Sequence, residues 1–250
     1  MRTPTTGDPM AKSLGLTFAD FDNDGWLDII VANDTVQNFL FHNRQDGSFE
    51  EVGALVGVAF DMGGNARGAM GIDVAAFRND GGLGITIGNF SNEMTALYVT
   101  QGDQMLFVDE AISTGLGPNT RLQLTFGVFY FDCDLDGRLD IFAANGHLED
   151  QINRVQPSQH YEQAPQLFWN CGPQHATEFL PLTTAETGAD FAEPLVGSGA
   201  SYADIDGDGD LDVLITSVGG APRLLRNDQQ SGHHWLRVKL QGTACNSDAI

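Results

Sequence analysis

"DFDNDGWLDIIVAN", residues 20–33, places four aspartates within nine positions and then runs into an apolar segment. Carboxylates that close together repel one another, and the stretch holds no basic residue to offset them. Nearly the same stretch occurs twice more, as "DCDLDGRLDIFAAN" at 132–145 and "DIDGDGDLDVLITS" at 204–217. Midway between the first two copies, "AFRNDGGLGITIGN" at 76–89 keeps the apolar and turn positions but has lost three acids. The repeat starts at residues 20, 76, 132 and 204, and a period of this size is the mark of a repeat architecture.

Each repeat reads as a small antiparallel sheet. Apolar segments lead into the loop ("LGLTFAD", "GAMGIDVAAF", "LTFGVFYFD", "GASYADI"), and β-branched runs leave it ("DIIVAN", "GITIGN", "DIFAAN", "DVLITS"). A third segment follows ("NFLFHN", "ALYVT", "QLFWN", "RLLRN"), and in some units a fourth, such as "GSFEEV". Short strands in units of this length predict an all-β chain, a β-propeller of four-stranded blades. Four blades are expected here, near residues 14–67, 68–120, 121–198 and 199–232, with residues 233–250 set apart. The third unit carries an insertion at 146–165 between its second and third strands.

Composition narrows the function classes. A net charge of −22 gives the long-range field the wrong sign for nucleic acid or an anionic membrane. Of 25 aspartates, 13 lie in the three acidic loops, so the charge has a local purpose. No apolar run reaches the roughly 18 residues of a membrane helix, and the first twelve residues lack a secretory h-region. Cys133, Cys171 and Cys245 have no metal-ligand spacing and read as small core residues.

The pattern D-x-D-x-D-G-x-x-D presents oxygen ligands at alternate positions, with glycine where the turn is sharpest. Hard oxygen donors in this number suit Ca²⁺, and the loops contain no histidine for a softer metal. An EF-hand is excluded, because position 12 is Val31, Ala143 or Ile215 inside a strand rather than a glutamate. Three Ca²⁺ sites are expected. The first takes Asp20, Asp22, Asp24, Asp28 and the carbonyl of Trp26; the second Asp132, Asp134, Asp136, Asp140 and the carbonyl of Arg138. The third takes Asp204, Asp206, Asp208, Asp212 and the carbonyl of Asp210. The loop at 76–84 is expected to bind no metal, with Arg78 paired to Asp80 instead, and Ala76→Asp, Arg78→Asp and Gly84→Asp together to restore a fourth site.

These segments resemble the FG-GAP/VCBS repeats of integrin α-subunit propellers. The chain as a whole is similar to the cartilage acidic protein family, whose members end in an ASPIC/UnbV domain. The likeness rests on "FADFDNDGWLDIIVAND", "GNFSNEMTALYV", "FDCDLDGRLDIFAANGH", "GGAPRLLRND" and the tail "HHWLRVKLQGTACNSDAI". It implies a secreted or cell-envelope calcium-binding propeller of seven blades, with residues 233–250 the truncated start of the ASPIC/UnbV domain.

No nucleophile-elbow, zincin or phosphate-loop motif is present, so no catalytic residue is assigned. The expected function is non-catalytic: adhesion, or interaction with a protein or glycan partner, on a calcium-stabilised scaffold. The alternative is a hydrolytic, carbohydrate-active propeller whose chemistry sits in the 146–165 insertion, where His147, Glu149, Asp150, His160 and Tyr161 lie close in sequence, or in blades outside this chain. His42 is expected to be ordinary packing. Unpaired sheet edges at the two ends favour self-association.

Overall fold

The computed structural model describes residues 11–102, 104–236 and 238; most of the tail assigned to the ASPIC/UnbV domain, and Cys245, lie outside them. The first sheet is β1 (Ser13–Ala19), β2 (Asp28–Asn33), β3 (Phe39–Asn43) and β4 (Phe49–Glu51). The second is β5 (Ala69–Ala75), β6 (Gly84–Asn89), β7 (Ala96–Gln101) and β8 (Gln104–Asp109). The third is β9 (Thr125–Phe131), β10 (Asp140–Asn145), β11 (Gln166–Asn170) and β12 (Phe179–Pro181). The fourth shows three strands among the described residues: β13 (Gly197–Ala203), β14 (Asp212–Ser217) and β15 (Arg223–Leu225).

All four sheets are antiparallel meanders in chain order, the blades of a β-propeller. Their registers coincide. Ile29 faces Phe41, Ile85 faces Tyr98, Ile141 faces Phe168 and Val213 faces Leu225, each pair one residue beyond the ninth position of its loop.

The core is divided into three layers, one between each pair of neighbouring blades. Ile30, Leu40 and Phe107 lie in the first, Phe77, Tyr130 and Phe168 in the second, and Phe129, Phe142 and Ile215 in the third. Alternation along each strand sends one row of side chains toward the preceding blade and the other toward the next. Glycine lets the inner strands approach closely. A Cβ on Gly15 would lie 2.4 Å from the Met70 carbonyl oxygen, and one on Gly71 would lie 2.1 Å from that of Phe126. Inner strands β1, β5, β9 and β13 therefore pack in sequence, while β1 and β13, at the two ends, make no comparable contact.

Candidate metal centres

Each acidic loop is the hairpin between the first and second strands of its blade. The acids fold it before any ion is considered. Asp20 accepts hydrogen bonds from the Asp24 and Gly25 N–H groups at 3.0 and 2.8 Å. Asp132 accepts from the Asp136 and Gly137 N–H groups at 3.1 and 2.9 Å. Position 5 accepts from the N–H of position 7 in all three loops: Trp26 to Asp24, Arg138 to Asp136 and Asp210 to Asp208, at 2.8, 2.8 and 3.0 Å. The position-6 glycines Gly25, Gly137 and Gly209 have φ of 88°, 85° and 101°. Position 4 is also left-handed, and there the third loop has Gly207, the first Asn23 and the second Leu135, at φ 60°.

The result is convergence. Side-chain oxygens of Asp20, Asp22 and Asp24 lie within 4.8 Å of one another, as do those of Asp132, Asp134 and Asp136, and of Asp204, Asp206 and Asp208. Position 9 behaves differently. Asp28, Asp140 and Asp212 are buried behind the loop, with both carboxylate oxygens in use. One oxygen accepts the N–H of position 2 (Phe21, Cys133, Ile205) at 3.2, 2.9 and 2.9 Å. The other accepts the N–H of the asparagine that follows on the third strand (Asn43, Asn170, Asn227) at 2.8, 2.8 and 2.9 Å. This carboxylate staples three pieces of the blade, and only its remaining lone pairs are free for a cation. Burial pushes the Asp140 carboxyl up to about 6 and raises Asp132, and burial followed by the Asp24 charge raises Asp22. A bound cation would relieve that crowding.

Two neighbours of the loops were missed in the sequence. His42 is more than packing: its Nδ1 lies 3.1 Å from Asp28 Oδ1 and 3.7 Å from Asp22. Trp169, at the equivalent place in the third blade, donates its indole N–H to Asp134 at 3.1 Å. The signal was the register, since both residues immediately precede the stapled asparagine. In the second acidic loop, Arg138 also pairs with Asp136 and donates to the Asn170 carbonyl at 2.8 Å.

The loop at 76–84 is corrected in two respects. Arg78 does not pair with Asp80. Its Nε and Nη2 reach Glu178 at 3.0 and 2.7 Å, and Nη2 reaches Glu110 at 2.7 Å. The guanidinium also sits over the Phe77 ring, 4.9 Å from its centroid. The clamp thus joins this blade to the next. Restoring an acid at position 9 would also require the buried Phe77 ring to move, because a Cβ on Gly84 would lie 2.4 Å from it. With no acid at position 9, the staple is rebuilt from the third strand: Thr100 Oγ1 accepts the Leu83 N–H at 2.9 Å, and the Thr100 N–H returns to the Leu83 carbonyl at 3.0 Å.

The insertion disperses the residues that sequence brought together. His147 is buried, its Nε2 3.2 Å from Ser91 Oγ and its Nδ1 accepting the Glu149 N–H at 3.0 Å. His160 and Tyr161 instead line an open groove of about 620 Å³, together with Leu122, Glu162 and Pro194. Cys133 and Cys171 are free thiols.

The FG-GAP-like repeat description matches residues 3–83 and 132–215, more than half of the chain. The chain belongs to the FG-GAP-like repeat family. Both matched segments contain acidic loops of the kind described above, so the FG-GAP unit here is the blade with its hairpin. Cartilage acidic protein 1 of Homo sapiens is 30% identical over 218 residues, covering 84% of this chain and 29% of that protein. Its Xenopus tropicalis counterpart is 28% identical over 229 residues, covering 90% of this chain and 32% of that protein. The FG-GAP chain therefore spans about a third of the length of the curated relatives it matches. A solved structure titled for recognition of non-reducing terminal N-acetylglucosamine by an Agrocybe aegerita lectin covers 84% of this chain and 51% of its own, with 20% identity and a TM-score of 0.48.

Proposed function

We propose that this chain is a non-catalytic, calcium-stabilised propeller module that presents a binding surface for a protein or glycan. The convergence of the position 1, 3 and 5 carboxylates in three of four loops carries the reading. The donor chemistry selects the ion. At the residue before the stapled asparagine only the first loop has an imidazole, where the other two have Trp169 and Arg226, and His233 beside the second loop meets the Asp134 backbone carbonyl, at 2.7 Å, so the set common to all three is oxygen and suits Ca²⁺. Asp20, Asp22 and Asp24, with their counterparts, would hold the ion; the position-7 carbonyl and the free lone pairs of position 9 would complete the shell. For a site of ~10 µM affinity in ~1 mM calcium, occupancy stabilises the fold by roughly 2.7 kcal/mol. Secretion or a cell-envelope location accords with this, since such an ion concentration is extracellular. Among the described residues no helix is long and apolar enough to cross a membrane.

The binding surface we assign is the groove beside the 146–165 insertion. That loop joins β10 to β11, at the opposite end of the blade from the β9–β10 acidic hairpin. Tyr161 offers a flat apolar face, and His160 and Glu162 offer hydrogen-bonding groups, the combination that receives a sugar or a polar peptide. Equilibrium dialysis should give three Ca²⁺ per chain, and Asp22→Asn, Asp134→Asn and Asp206→Asn should each remove one. Excess EGTA should lower the melting temperature. A chain that binds no calcium at millimolar concentration, or melts identically in EGTA, refutes the metal reading; a glycan and peptide array on Tyr161→Ala tests the groove separately.

A further inference from the structure

The first acidic loop differs from the other two where it meets β3. There a second group of ligand atoms converges: one carboxylate oxygen each from Asp22 and Asp28, and a ring nitrogen of His42, lie within 4.8 Å of one another. Among the described residues neither of the other acidic loops has such a set. Trp169, in the equivalent place, gives Asp134 an indole N–H, which has no lone pair for a metal. Arg226 is paired with Asp228 at 2.8 Å, and a guanidinium does not ligate. His233 meets a backbone carbonyl of the second loop and none of its carboxylates.

The spacing suits ligands of one small ion. His42 Nδ1 lies 3.1 Å from Asp28 Oδ1 and 3.7 Å from Asp22 Oδ2. Nitrogen and oxygen donors at ~2.1 Å from a tetrahedral ion stand about 3.4 Å apart, so the two separations bracket that edge. Each carboxylate is held from behind. Asp28 accepts the Phe21 and Asn43 N–H groups at 3.2 and 2.8 Å, and Asp22 Oδ1 accepts the Asp24 N–H at 3.2 Å, which leaves Oδ2 toward the imidazole. His42 rides on β3, in register with Glu50 of β4. Ligands oriented in this way by outer partners bind metal more tightly. The His42 and Asp22 side chains are 27% and 28% exposed, so an ion can enter from solvent and water can complete its shell.

We infer that Asp22, Asp28 and His42 form a mixed nitrogen–oxygen site for a divalent ion of the Zn²⁺ class, confined to the first loop. Imidazole is a good ligand for Zn²⁺ and a poor one for Ca²⁺, which takes hard oxygen. The inference rests on the reading of the loop as a cation site, since Asp22 belongs to both sets, and it adds a different ion on a different face. The proton on Nδ1 that now bonds Asp28 is the group an entering ion replaces. The imidazole binds as the neutral ligand, its proton leaves to solvent, and the Asp28 oxygen gives the metal the lone pair that held that hydrogen.

Zn²⁺ binding to the full chain, dialysed free of calcium and chelator, tests this by equilibrium dialysis and by long-range proton–nitrogen NMR of the imidazoles. The tightest Zn²⁺ should bind one per chain, with the His42 Nδ1 resonance moving to a metal-bound position. His42→Gln keeps a donor for Asp28 and removes the nitrogen ligand. It should weaken that Zn²⁺ by more than about tenfold while keeping the wild-type circular dichroism. A chain that takes Ca²⁺ at its acidic loops but binds Zn²⁺ no better than His42→Gln does overturns the inference and leaves the calcium reading standing. A chain that holds Zn²⁺ on His42 and takes no Ca²⁺ supports the inference and overturns the calcium reading. Zn²⁺ that binds with the His42 resonances unmoved, on other histidines of the chain, overturns the inference as well.

Discussion

Replacing Arg78 by methionine keeps the length of the side chain and removes its charge. Glu178 then loses three charge-assisted contacts, two to Nε at 3.0 Å and one to Nη2 at 2.7 Å, and Glu110 loses one at 2.7 Å. The Glu178 carboxylate is the most deeply buried member, with 7% of its side chain exposed against 24% for Arg78 and 22% for Glu110. Removing one partner of a buried pair costs about 3–5 kcal/mol, because the other charge is left desolvated. Partial exposure of the arginine places the loss at the lower end, about 3 kcal/mol. For a chain of this size that is a fall in melting temperature of roughly 6–12 °C. Adding Glu178→Gln to Arg78→Met removes the orphaned charge and should recover about 2 kcal/mol, so the pair is strongly non-additive. Urea unfolding of the four members of this cycle measures both quantities. A loss below about 1 kcal/mol for Arg78→Met, or additive single changes, would refute the idea that this cation clamps two blades.

Other expectations use the same assays. Leu135 holds a left-handed conformation that costs a branched side chain about 1 kcal/mol, so Leu135→Asn should raise the melting temperature by about 2–4 °C. Gly71→Ala should destabilise by about 3 kcal/mol because its Cβ meets the Phe126 carbonyl at 2.1 Å, whereas Gly199→Ala at the equivalent place should stay within about 0.5 kcal/mol; equal effects would contradict the blade spacing. Burial lowers the pKa of His147 from 6.5, so its contribution to stability is intact above that value and lost as pH falls from there toward the folded pKa. Wild type should therefore lose more stability between pH 7 and 5 than His147→Gln does, as read by urea midpoints.

The repeat and its loops were legible because their information is local. Nine consecutive residues fix each hairpin, and the β-branched run after it fixes the register of the blade. What escaped the sequence depends on distance along the chain. Arg78 was assigned to Asp80 two residues away, but its partner Glu178 lies 100 residues on, across a blade boundary that no local pattern marks. Gly84 read as a lost ligand; only the packed structure shows Phe77 filling the space where a side chain would go. His147 was grouped by sequence with Glu149, Asp150, His160 and Tyr161 of the insertion, yet Ser91, from another blade, takes it inside. The position-9 aspartates read as ligands, while their hydrogen bonds to strand asparagines were invisible without the register.

The rebuilt staple in the second blade has a consequence for how such chains would depend on an ion. Thr100 and the backbone of Leu83 close the hairpin that Asp28 and Asn43 close in the first blade, and strand register is the same in both. The second hairpin thus closes in the same register without a position-9 acid, while Arg78, at position 3, reaches Glu178 of the next blade. On the calcium reading proposed above, dependence on the ion would be a property of each blade separately, and the number of ions per propeller could vary with no change of backbone.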